Sequence, residues 1–318
     1  RIFSPDGNSV TIPLGKDTLW ILERRIFDRE LANLAARAGC TVRAKTRAYG
    51  LVLEGKRVRG VHLATLGTSY TVKSKIVIGA DGVESQVGRW GGLHTVPKMN
   101  DIAKAAQYLI ANADVEQDMC EFHLGRQVAP RGYAWVFPKG NAMANVGLGI
   151  SGDFQGEKTT YQYLQDFVFK RFPGTSTLGL IIGGIPVSGG VRRLVADGLM
   201  IVGDAAHQAD PFGGGGILTA MTAAALAAKV AIDALASGDC SMRRLQVYEQ
   251  EWHNTVGKEL KRLYRIKQAY LKQSDDTLNE IMQTVARFPS ENLSLEQIIF
   301  TVFREKPKLL LEIRHLLR

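Results

Sequence analysis

The chain is short of the residues that build metal centres. Of its 318 residues three are cysteine, Cys40, Cys120 and Cys240, and none stands in a Cys-x-x-Cys spacing. That scatter argues against iron–sulfur or structural zinc ligation and fits a reducing cytoplasm. No signal-peptide pattern is read in the sequence as given. No long uncharged apolar run is present either: the most apolar stretch, Ile217 to Ala236, carries Lys229 and Asp233 and is rich in alanine. It reads as a helix packed against a sheet rather than a membrane span. RNP-like, zinc-finger and helix-turn-helix signatures are missing, so the net charge of +9 does not point to nucleic acid. Internal repeats and low-complexity tracts are missing too. So is a Gly-x-Gly-x-x-Gly fingerprint following a strand.

What is present is an ordinary globular composition, 45% hydrophobic and 22% charged, long enough for more than one lobe. The positive balance favours anionic partners, whether phosphate-bearing substrates or an acidic membrane surface. The most informative stretch runs from Gly203 to Gly216, GDAAHQADPFGGGG. It follows a short apolar run, Leu199 to Val202, that reads as a buried strand, and it precedes the Ile217 helix. A bare glycine run is usually a flexible loop. Here a strand, an acid at its end, a glycine cluster and a helix start come together, which predicts a site for a phosphorylated or anionic cofactor. The glycines admit close backbone approach, and the helix start offers N–H donors and a positive dipole end. Asp204 is suited to accept hydrogen bonds from a ribose hydroxyl.

Two further segments carry chemistry. Ile76 to Ser85, IVIGADGVES, reads as a β-branched strand ending in an Asp-Gly turn with a helix start at Ser85. Pro130 to Lys139, PRGYAWVFPK, places Tyr133, Trp135 and Phe137 at alternate positions, hence on one face of a strand. Three alternating aromatics are most often the core face of a sheet.

These segments together resemble the para-hydroxybenzoate hydroxylase-type FAD flavoproteins. Gly203-Asp204-Ala205-Ala206-His207 with Pro211, Gly214, Gly216, Ile217, Ala220 and Met221 resembles their second FAD motif, and Gly79-Ala80-Asp81-Gly82 with Ser85 their internal GADGxxS motif. Tyr133-Ala134-Trp135-Val136-Phe137-Pro138 resembles the YxWxFP motif of the geranylgeranyl reductases, specifically the digeranylgeranylglycerophospholipid reductase-like branch. The resemblance implies FAD as cofactor, held by Arg24, Asp81, Gly82, Gly203, Asp204, Pro211, Gly214, Gly215, Gly216 and Ile217. The helix dipole at Ile217 would favour the negative charge of a reduced flavin. It implies that Tyr133, Trp135 and Phe137 bind a geranylgeranyl chain opposite that flavin. The reaction would be reduction of C=C bonds, on archaeal ether phospholipids or on chlorophyll precursors. Net charge favours the phospholipid, with NAD(P)H or ferredoxin as electron donor. The alternative on the same fold is an FAD-dependent monooxygenase of an apolar or aromatic substrate. No residue presents itself as proton donor: His123 reads as a hydrogen-bonded sheet histidine, His207 as structural and Asp210 as a turn-former.

The fold expected is α/β with α+β lobes: a Rossmann-like FAD-binding domain, an antiparallel-sheet substrate domain and a helical C-terminal tail. The segments expected are 1–22 (substrate-domain strands, with runs at Val10–Ile12 and Thr18–Leu22), 23–95 (FAD-binding domain), 96–190 (substrate sheet), 191–250 (FAD-binding domain again) and 251–318 (helices). Within them, Arg24–Ala38 reads as an amphipathic helix stopped by Gly39, and Val42–Ile78 as a three-stranded meander. Thr160–Arg171 reads as a helix, and Gly183–Pro186 as a turn back to the cofactor lobe. The resemblance places a Gly-x-Gly-x-x-Gly βαβ unit ahead of Arg1, so the chain reads as truncated there; loss of that unit, leaving a flavin-free remnant, is the other reading. Basic amphipathic stretches at Lys258–Lys272 and Lys306–Arg318 either pack on the protein and solvate their charges or lie on anionic lipid, which would make the protein peripheral on the inner membrane face.

Overall fold

The computed structural model describes residues 1–13 and 19–287. In chain order the elements are β1 (Ile2–Phe3), β2 (Ser9–Val10), α1 (Arg24–Arg37), β3 (Thr46–Glu54), β4 (Arg57–Thr65), β5 (Thr68–Lys73), β6 (Val77–Gly79), α2 (Gln86–Trp90), β7 (Ile102–Ala111), β8 (Glu121–His123), β9 (Tyr133–Gly140) and β10 (Met143–Ser151). They continue with α3 (Thr160–Arg171), β11 (Ser176–Pro186), β12 (Val195–Ala196), β13 (Leu199–Ile201), α4 (Ile217–Ser237), α5 (Met242–Asn254), α6 (Val256–Tyr270) and α7 (Asp275–Ala286). The chain divides into two compact units. One comprises Arg1–Leu19, Pro97–Ser188 and Arg262 onward; the other comprises Trp20–Val96 and Gly189–Lys261.

The first unit is built on a seven-stranded sheet of order β11-β7-β10-β9-β8-β1-β2, antiparallel except where β1 runs parallel to β8. Alternation along β7, β9 and β10 buries Ala106, Tyr108 and Ile110, Ala134 and Val136, and Ala144, Val146 and Leu148 against α3, which contributes Leu164 and Phe167. The start of α3 is fixed by a capping box: Thr159 accepts from the Gln162 N–H at 3.2 Å, and Gln162 accepts from the Thr159 N–H at 2.8 Å. The C-terminal half of α6 ties down strand ends. Tyr264 donates to Asp101 at 2.8 Å, Lys267 donates to the Asn100 and Val187 carbonyls at 3.0 and 2.6 Å, and Tyr270 donates to the Gly132 carbonyl at 2.8 Å. Burial pulls the Lys267 ammonium down to about 8, with Asp101 opposing. At Lys258–Lys272 it is therefore packing that holds for Leu260, Lys267 and Ala269, while Lys258, Lys261, Arg262 and Lys272 remain exposed.

The second unit carries a small sheet β12-β13-β6, with β13 parallel to β6, and the meander β3-β4-β5. The meander turns at Gly55 and Gly67, both at positive φ as their turns require. α1 ends at Arg37 with Gly39 at φ +91°, as expected of a glycine stop. Its apolar stripe is not buried: Leu31 and Leu34 are exposed. α4 presents Ala223, Ala227, Val230, Ala231 and Ala234 as its buried stripe, the small side chains allowing close approach to its neighbours. By length and composition alone α4 could cross a membrane.

Four expectations are corrected. Leu19–Leu22 is irregular rather than a strand, and Trp20–Leu22 falls in the second unit; the β-branched and apolar residues there find no partner strand among the described residues. β2 ends at Val10, so Thr11 and Ile12 lie outside it. Gly183–Pro186 is no turn: it completes β11, pairing with Ala105 to Ile102 along β7. Glycines there satisfy an edge strand because backbone pairing, not side-chain packing, holds it. The C-terminal residues are divided too, since the described helical residues from Arg262 onward belong to the unit of the seven-stranded sheet. The Lys306–Arg318 stretch lies outside the described residues.

Candidate active site

In the second unit, β13 delivers the chain to Gly203, whose φ of +66° and proximity to α4 (an added Cβ would stand 3.3 Å from Ala220) both favour glycine. Gly203 to Ala206 form a single 3-10 turn ending at His207, itself left-handed at φ +52° and buried. The turn is held from behind by a buried polar chain. The Gly203 N–H donates to Gln208 Oε1 at 2.7 Å, Gln208 Nε2 donates to the Tyr248 hydroxyl at 2.9 Å, and that hydroxyl donates to the Ile201 carbonyl at 3.0 Å. Sequence reasoning missed both residues: Tyr248 lies on α5, and nothing local marks it. Replacing Tyr248 by Phe leaves buried groups at Gln208 and Ile201 without their partner and is expected to cost about 1–3 kcal/mol in chemical denaturation, with weaker flavin retention.

Asp204 projects beside the start of α4. Its carboxylate accepts no hydrogen bond among the described residues, and burial raises its pKa above the ordinary carboxylate value, with the Arg24 charge opposing. A Cβ on Gly216 would stand 3.2 Å from Asp204 Oδ1, so the glycine leaves the carboxylate room. Gly216 is also the N-cap of α4 and supplies no side-chain cap, so the first-turn N–H groups have no side-chain partner there. Gly214 is left-handed (φ +72°), Gly215 faces open space, Pro211 is buried, and Ile217 opens the helix. Asp210 pins the loop, accepting from the Phe212 and Gly213 N–H groups at 2.8 and 3.1 Å, as expected of a turn-former. A carboxylate with no hydrogen bond among the described residues, open glycines and an uncapped helix start suit the hydroxyls and the electron-rich ring edge of FAD.

The GADG segment meets the same turn from the other side. β6 pairs in parallel with β13, and buried Ser85, left-handed at φ +45°, donates to the Ala205 carbonyl at 2.7 Å. Asp81 Oδ2 accepts from the Val87 N–H at 2.9 Å, so in this structure it caps α2, with Gly82 left-handed beside it. Arg24 is exposed and paired with Asp28 through two 3.0 Å hydrogen bonds, reaching the loop by its charge.

In the first unit, Tyr133, Trp135 and Phe137 share a half-buried face of β9, whereas Ala134 and Val136 fill the core opposite. The aromatics are therefore not the core face of the sheet. Tyr133 meets Trp135 edge-on at 5.9 Å, Trp135 stacks with Phe137 at 6.1 Å, and Phe122 on β8 closes the cluster at 5.8 Å from Tyr133 and 5.6 Å from Phe137. His123 projects the other way. It hydrogen-bonds Glu121 at 2.9 Å, stacks on Phe3 at 4.3 Å and meets Phe167 of α3. Arg171 completes this set by donating to Glu121 at 3.0 Å. His123 is thus a hydrogen-bonded sheet histidine on the face away from the aromatics. No cluster of His, Cys, Asp and Glu among the described residues could hold a metal.

Residues 101–185 match the geranylgeranyl reductase catalytic domain and residues 186–262 an FAD binding domain. The chain is 45% identical over 316 residues to digeranylgeranylglycerophospholipid reductase 2 of Methanococcoides burtonii, covering 98% of this chain and 78% of that protein. It is also 45% identical to the digeranylgeranylglycerophospholipid reductase of Methanosarcina mazei, covering 100% of this chain and 79% of that one. A geranylgeranyl bacteriochlorophyll reductase-like crystal structure from Thermoplasma acidophilum superposes with a TM-score of 0.90 at 36% identity, over 99% of this chain and 81% of the other. A flavin-dependent brominase at 16% identity and TM-score 0.69, over 96% and 81% of the two chains, shares the fold. The chain belongs to the digeranylgeranylglycerophospholipid reductase family of FAD-dependent geranylgeranyl reductases.

Proposed function

We propose that this protein saturates C=C bonds of geranylgeranyl chains on archaeal-type ether phospholipids. The observation that carries the reading is the aromatic face of β9, half-exposed and turned away from the core, within the segment that matches the geranylgeranyl reductase catalytic domain. Bound and reduced, FAD supplies the hydride equivalent that adds to one alkene carbon, while a proton completes the other. An isolated alkene is a poor hydride acceptor, so the protein's task is alignment and exclusion of water. Tyr133, Trp135 and Phe137 supply apolar area for the chain. Asp204 and the start of α4 hold the cofactor, the helix end favouring its reduced, negatively charged form. NAD(P)H or ferredoxin supplies the electrons. The reductase names of the relatives and the aromatic motif favour this reaction over hydroxylation. The net charge of +9 and the exposed cations Lys258, Lys261, Arg262 and Lys272 support docking on an anionic membrane surface from the cytoplasmic side.

The reading is tested by reducing the flavin anaerobically and adding geranylgeranylated phospholipid. Return of the oxidised flavin spectrum without oxygen is expected. Reoxidation that requires oxygen, with oxygen appearing in the product, would assign a monooxygenase.

A further inference from the structure

Gln107 lies on β7, two strands from Trp135, and the sheet register explains how the two meet. Trp135 pairs with Gly147 on β10, Gly147 with Gln107, and Gln107 with Ile181 on β11. Residues paired across strands project to the same face, so Trp135, Gln107 and Ile181 share the aromatic face with a bare position between them. Adjacent strands lie about 4.8 Å apart, so the indole must lie down across β10 to reach β7. It does: Trp135 Nε1 donates to Gln107 Oε1 at 2.9 Å. A Cβ on Gly147 would stand 2.5 Å from Cζ2 and 2.6 Å from Cε2 of Trp135, so no other side chain fits beneath the ring. On Gly149 it would stand 3.9 Å from Cζ3, ordinary contact.

We propose that Gln107 and Gly147 are positioning residues for the prenyl chain, pinning the Trp135 indole flat so that it offers a face rather than an edge. The proposal rests on the reading of the aromatic face as the prenyl site. An indole N–H turned toward hydrocarbon loses its water when the chain binds, and Gln107 supplies the replacement acceptor within the sheet. The ring can then lie as an apolar plate without an unpaired donor. Released from Gln107, it would rotate to find water and carry the alkene out of alignment, and misplacement of about 1 Å can cost on the order of a hundredfold in rate.

The test uses the FAD-loaded protein with geranylgeranylated phospholipid and the variants Gln107→Met, Gln107→Glu and Gly147→Ala. Steady-state constants, the distribution of hydrogen pairs added, and the Trp135 emission (native spectrum minus that of Trp135→Phe) are read in parallel. Gln107→Met is expected to lower kcat about tenfold, let partly reduced chains accumulate and shift Trp135 emission to the red. Gln107→Glu, which keeps an acceptor oxygen, restores the emission and most of the rate. Gly147→Ala is expected to lose about a hundredfold; should it fail to fold, by melting temperature and flavin absorbance, the Gln107 pair carries the test. A Gln107→Met protein with native kcat, product pattern and emission would overturn the proposal. If Trp135→Ala itself left lipid turnover untouched, the prenyl-site reading would fall instead, while the emission would still report the pinning.

Discussion

Replacing Trp135 by alanine is expected to lower kcat/KM for geranylgeranylated phospholipid about a hundredfold, some 2.7 kcal/mol, while leaving flavin binding intact. The ring bridges the aromatic cluster, touching both Tyr133 and Phe137, and covers Gly147. Its loss removes the largest apolar plate on that face and leaves a glycine floor with nothing above it. Truncating a well-packed aromatic anchor in an apolar site typically costs more than 2 kcal/mol. The flavin loop lies in the other compact unit, built from β13, the Gly203 turn and α4, so its spectrum serves as the control. Steady-state assays with the lipid, paired with flavin titration, check the expectation; an unchanged kcat/KM would remove the aromatic face from the substrate site.

The second large effect is crossed in sign. Asp204→Asn is expected to weaken FAD binding on the order of ten- to a hundredfold, yet to raise the melting temperature of the flavin-free protein at neutral pH. The carboxylate is partly desolvated with no hydrogen bond among the described residues, and its pKa is raised. Between the ordinary value of 3.8 and the raised one, the folded state binds more protons than the unfolded state. Stability from this group therefore falls as pH rises through that window, and at neutral pH the ionised form is a net cost. Asparagine removes the cost, so the gain over the native protein should shrink in acid. With FAD bound the sign inverts, because hydroxyl donors to the carboxylate favour its ionised form and would pull the pKa down. Melting curves with and without FAD across the acid range read both arms. A variant less stable without flavin would show that Asp204 serves the fold rather than the cofactor.

Much of this site was legible because its signals are local. The strand–Gly203–Asp204–glycine–helix sequence encodes its own geometry, and the helix read over Thr160–Arg171 is α3 with the same bounds. Gly55 and Gly67 marked the meander's turns for the same reason. What was illegible depends on register between distant strands. Nothing near Ile2 and Phe3 reveals that they pair in parallel with Phe122 and His123, and nothing near Gln107 reveals that an indole 28 residues away reaches it. Gly183–Pro186 misled because glycine and proline favour turns locally, while at the sheet edge backbone pairing with β7 overrides that preference. The polar chain through Gln208 and Tyr248 was equally silent, since its partners come from a strand, a turn and a helix that meet only in the folded unit.

Mass spectrometry of a geranylgeranylated phospholipid after anaerobic incubation with this protein, FAD and dithionite tests prenyl reduction itself. Stepwise gain of hydrogen pairs on the prenyl chains, lost in Trp135→Ala, is the predicted result. An unchanged lipid in the presence of a bound, reducible flavin would contradict it.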